Sequence, residues 1–101
     1  MERIYIIEFA VTHEHGFEDQ DAQMVLDGIG YFESAEEAYR TCIDLADEEI
    51  DDIATDDPKA LFSKFDANPD KMCVKFICEE NKVQKTIEYF VTGLDRHSNA
   101  I

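Results

Sequence analysis

Residues 34–54, SAEEAYRTCIDLADEEIDDIA, decide the class of fold. Ser34 followed by Glu37 matches the capping box, in which the serine oxygen accepts the N–H of the third helical residue and the glutamate reaches back to the cap. From there Ala35, Ala38, Cys42, Leu45, Ala46, Ile50 and Ile53 recur at helical spacing, with Tyr39 and Ile43 flanking them. One apolar stripe through about residue 54 predicts a long amphipathic helix, and such a stripe needs another layer to cover it.

The flanks supply that layer. Residues 3–12, RIYIIEFAVT, are rich in β-branched and aromatic side chains, with Tyr5, Ile7, Phe9 and Val11 on one face and Ile4, Ile6, Glu8 and Ala10 on the other. The polar stretch from His13 to Gln23, which contains Gly16, reads as a loop; residues 24–32, MVLDGIGYF, read as a second strand interrupted at Gly28 and Gly30. Asp57-Pro58 marks a break, and proline suits the first position of a new helix, so a short second helix is expected through Leu61, Phe62 and Phe65. A turn cluster at Asp66–Asp70 precedes a hairpin of 72–79 and 83–92 around Glu80-Asn81-Lys82, with Val83, Ile87, Tyr89 and Val91 on its buried face. The tail after Gly93 lacks periodicity and is expected to fray. The result is a single α+β domain over 1–101 in the order β-β-α-α-β-β. It has a mixed or antiparallel sheet of about four strands, with the long acidic helix and the short one on one face.

Charge narrows the partners. The net charge is −15, from 24 acidic and 9 basic residues, well beyond the roughly 2–8 usual for small soluble domains. Nucleic acid and anionic membrane surfaces reward Lys and Arg and repel carboxylates, so direct binding to either is not expected. Basic protein surfaces and cations are the suited partners, and a homodimer is compatible with a chain of this size. Cys42, Cys73 and Cys78 make an odd count, and the last two are five apart in one expected strand, hence on opposite faces. Without a leading basic and apolar stretch, or an apolar run near the 18 or so residues of a membrane span, the chain reads as cytoplasmic.

Catalytic and metal motifs are weak. Asp66-x-Asn68-x-Asp70 copies the opening of a calcium loop, but Lys71 stands where glycine is needed, Pro69 stiffens the loop, and Ile77 replaces the bidentate glutamate. A helix-to-strand turn explains it better. His13-Glu14-His15 lacks a fixed third ligand, and the cysteines have no C-x-x-C spacing. Gly28-x-Gly30 is followed by Glu33 where a dinucleotide loop would have its third glycine, and Ser34 is committed to the helix cap. A non-catalytic protein without metal or cofactor is expected, with a metal-dependent enzyme as the third reading.

The distribution of charge is more telling. Residues 33–57 hold eleven acids and one base, Arg40, for a local charge of −10. Asp44 with Glu48, Asp47 with Asp51, and Glu48 with Asp52 are like-charge pairs at i,i+4, each costing roughly 0.2–0.5 kcal/mol. Glu37, Asp44, Asp47, Glu48, Asp51 and Asp52 are therefore the candidate partner-binding residues. In composition alone the chain resembles small acidic inhibitors of bacteriophages, such as anti-restriction and anti-CRISPR proteins. That likeness implies a nucleic-acid-mimicking decoy. The rival expectation is a small structural or adaptor domain that self-associates through its sheet.

Overall fold

The computed structural model describes residues 3–13, 18–21 and 31–95. They form strands β1 (Arg3–His13) and β2 (Glu18–Asp21), helix α1 (Ala35–Asp56), and strands β3 (Leu61–Asn68), β4 (Cys73–Glu80) and β5 (Val83–Asp95). The strands make one antiparallel sheet in the order β2-β1-β5-β4-β3. Four of them are long, and β2 has four residues. After the β1–β2 pair the chain crosses over as α1 and returns as a three-stranded meander whose last member pairs with β1 along eleven residues.

Sequence alternation and observed register agree on the core. Phe9, Tyr89 and Val74 stand side by side across β1, β5 and β4, and Val11, Ile87 and Phe76 form the next row. Ile7, Val74, Phe76, Cys78, Ile87 and Tyr89 are buried on this face, and α1 covers them with Ala38, Cys42 and Ala46. Those three helix residues are small, so the backbone can approach the sheet closely; fully burying a Phe or Ile beneath it stabilises by about 1.5–3 kcal/mol each. The rings of Phe9 and Tyr89 lie 5.5 Å apart, and those of Phe62 and Phe76 6.2 Å apart, within the range of favourable aromatic pairing.

Several expectations need correction. No second helix forms among the described residues: Pro58 and Lys59 make a turn, closed by Ala60 N–H to Asp57 C=O at 3.0 Å, and Leu61 opens β3. Leu61, Phe62 and Phe65 were too short a run for periodicity to separate helix from strand. The edge of β4 supplies the missing information, because Phe62 docks against Phe76 only if the chain pairs there. A strand occupies Glu18–Asp21 inside the expected loop. The expected strand at 24–32 lies outside the described residues except at its end, where Phe32 bridges Tyr5 through two backbone hydrogen bonds of 2.8 Å. Among the described residues the element order is thus β-β-α-β-β-β.

Val83 is 52% exposed rather than buried, since it sits at the hairpin end beyond the reach of α1. Leu94 and Asp95, the start of the tail expected to fray, continue β5 against β1, and the rest of that tail, 96–101, lies outside the described residues. Asp66–Asn68 end β3 and Pro69–Asp70 open the turn to β4, so the cluster joins strand to strand, not helix to strand. There Asn68 Oδ1 accepts from the N–H groups of Asp70 and Lys71 at 3.1 and 3.2 Å.

The reverse face of the sheet has no helix on it among the described residues. In register across β1, β5, β4 and β3 it carries Glu8, Phe90, Cys73 and Asn68 in one row, then Ala10, Glu88, Lys75 and Asp66, then Thr12, Thr86, Ile77 and Ser63. Ile6 beside Thr92, and Ile4 beside Leu94, extend it at one end. A bulge between Ser63 and Asp66, with Lys64 at φ 54°, bends β3 away and leaves a hollow of about 200 Å³ lined by Lys64, Lys75, Phe76, Ile77 and Thr86.

Candidate acidic interface

Helix α1 starts where its cap residue dictates. Ser34 Oγ accepts from Glu37 N–H at 3.4 Å, and Ser34 C=O takes Ala38 N–H at 3.1 Å. At the other end Asp57 N–H donates to Ile53 C=O at 2.8 Å, and the Asp57 carboxylate accepts from Lys59 N–H at 3.1 Å, which turns the chain out of the helix. With Ala38, Cys42 and Ala46 against the sheet, the 100° step per residue carries Glu37, Asp44, Asp47, Glu48, Asp51 and Asp52 to the outward side, and all six are exposed.

The structure therefore brings the six candidate residues onto one surface. Over 22 residues the helix is about 33 Å long, and neighbours one turn apart hold their Cβ atoms roughly 5–6 Å from each other. Glu36 is also exposed and extends the acidic surface at the N-terminal end, where the same periodicity places it; Asp56, five full turns from buried Ala38, is exposed at the last helical position. Arg40 is the helix's one cation.

The helix dipole makes the placement more unusual. Glu36 and Glu37 lie in the first turn, where the positive end of the dipole favours them. No base occupies the last turn, and Asp56 stands there against the negative end. An amphipathic helix selected for stability alone would carry Lys or Arg at that end.

Glu49 breaks the pattern. It sits three residues after buried Ala46 and is only partly exposed, on the flank that leans toward the sheet. The Tyr89 hydroxyl beneath is held well above its ordinary range, first by burial and then by the negative field of Glu49, Glu48 and Asp52. The acidic surface thus reaches the core electrostatically at this point, a link that the sequence pattern did not reveal.

The remaining motifs do not assemble into chemistry among the described residues. Cys42, Cys73 and Cys78 are buried free thiols, with Cys73 and Cys78 on opposite faces of β4 as expected. Burial, with a smaller contribution from Cys73, pushes the Cys42 thiol up to about 12. His13 closes β1 opposite Lys85, while His15, Gly16, Gly28 and Gly30 lie outside the described residues. No group of three potential metal ligands is present among the described residues, and no described helix is long and apolar enough to cross a membrane. No family model, curated protein or solved structure matches the chain.

Proposed function

We propose that this protein is a non-catalytic, acidic binding protein that occupies a basic, nucleic-acid-binding surface of another protein, as an inhibitor or decoy. The observation that carries the reading is the outward face of α1: six exposed carboxylates on one side, no base in the last turn, and the apolar side packed on the sheet. Carboxylates repeated at roughly 5–6 Å are comparable in spacing to phosphates along a nucleic-acid strand, so a groove lined with Lys and Arg would accept either. Such a partner gains encounter rate and orientation from the complementary field.

The test is displacement. Immobilised protein captures basic partners from a lysate at low salt, and each captured partner is then bound to a labelled nucleic acid and titrated with the free protein. Release of the nucleic acid is expected, with the variant Asp44→Asn, Asp47→Asn, Glu48→Gln, Asp51→Asn releasing it poorly. Equal release by the variant, or capture without any displacement, would overturn the reading.

A further inference from the structure

We infer that the reverse face of the sheet, the side away from α1, is the interface of a homodimer in which two copies pack sheet against sheet. The occupant is a second copy because the two central charges of this face, Glu88 and Lys75, complement themselves, while Glu8 and Asp66 fall opposite the uncharged Asn68 and Ala10 of the other copy. A two-fold axis running along the strands between β5 and β4 places β5 of one copy over β4 of the other. Glu88 then lies over the partner's Lys75, and Lys75 over the partner's Glu88. In the neighbouring rows Phe90 covers the partner's Cys73, and Thr86 covers the partner's Ile77. The register within each sheet fixes these rows, and aligned sheets twisted by about 30° keep such correspondence near the axis.

Area and electrostatics agree. Four strands about 4.8 Å apart and some eight residues long give a face of roughly 19 by 27 Å, about 500 Å² in projection before side-chain relief. A standard interface takes about 800 Å² of accessible surface per partner, which relief and the flanking Ile4, Ile6 and Leu94 bring within reach. Two chains of charge −15 repel, yet this packing puts the acidic helices on opposite outer sides. With sheets about 10 Å apart and a helix of about 10–12 Å diameter on each, the outer carboxylates stand roughly 40 Å from their counterparts, several times the Debye length of about 8 Å. A strongly basic partner would find little here: Lys75 already stands between Asp66 and Glu88. The inference does not depend on what α1 binds.

The experiment is sedimentation equilibrium on the full chain at micromolar concentration, where a mass of twice 11.6 kDa is expected. Phe90→Glu and Ile6→Glu each place a carboxylate in the interface while leaving the α1 side intact, and each should raise the dimer Kd on the order of 100-fold with an unchanged far-UV spectrum. A sharper arm uses two chains, Lys75→Glu and Glu88→Lys. Each alone should associate weakly, because like charges meet across the axis, and the two mixed should form a heterodimer at least as tight as the original homodimer. Intrachain effects cannot produce that recovery. A monomeric wild-type chain, a dimer indifferent to both glutamate substitutions, or a mixture no tighter than its components overturns the inference.

Discussion

Converting Asp44, Asp47 and Asp51 to asparagine and Glu48 to glutamine removes four charges from α1 with almost no change of volume. All four side chains are exposed, so no packing is lost. The i,i+4 pairs Asp44/Glu48, Asp47/Asp51 and Glu48/Asp52 each lose at least one charge, and relief of roughly 0.2–0.5 kcal/mol per pair sums to about 1 kcal/mol. Aspartate and asparagine have similar helix propensities, so little offsets the gain. For a domain of 60–100 residues, 1 kcal/mol raises Tm by about 4–8 °C. Thermal unfolding followed by circular dichroism at low salt should show that rise. Near 1 M salt the Debye length of about 3 Å falls below the spacing of the pairs, and the difference should largely vanish. A variant that melts lower, or a gain that persists unchanged at high salt, would refute the picture of α1 as an uncompensated charged face. Combined with the displacement assay, the expected outcome is a more stable protein that binds its partner less well.

Three further outcomes follow from particular residues. The folded state holds the Cys42 proton up to about pH 12 while the unfolded chain releases it near 9, so the Cys42 contribution to stability should be constant below pH 9 and be lost as pH rises from 9 to 12. The Cys42 share is up to about 4 kcal/mol, measured as a denaturant midpoint that drops less steeply in Cys42→Ala. Native Cys42 and Cys78, both buried, should react with a thiol reagent far more slowly than after unfolding; rapid native labelling of Cys42 would contradict the packing of α1 on the sheet. Asn81 and Lys82 turn the β4–β5 hairpin at φ 51° and 65°, and a lysine there is strained where glycine is not, so Lys82→Gly should raise stability by about 0.5–1 kcal/mol in chemical denaturation.

Much of the molecule was legible from periodicity and local chemistry. The period of 3.6 from Ala38 to Ile53 and the Ser34 cap define α1, and a helix once placed dictates which carboxylates face outward. Strict alternation likewise separated Tyr5, Ile7, Phe9 and Val11 from Ile4, Ile6, Glu8 and Ala10 on opposite faces of β1, and the packing of α1 made the first set the covered face. These are local properties: each depends on residues within a turn or two of one another.

What the chain alone left open depended on pairing between distant segments. Whether Leu61–Phe65 coils or extends is decided by the unpaired edge of β4, and the insertion of β5 between β1 and β4 by eleven register contacts across some eighty residues. The exposure of Val83 and the approach of Glu49 to Tyr89 likewise follow from where α1 lies over the sheet. A side chain's neighbours along a helix or strand are fixed by backbone geometry, whereas its neighbours across the fold exist only after long loops have closed, and no local pattern encodes which edges will meet.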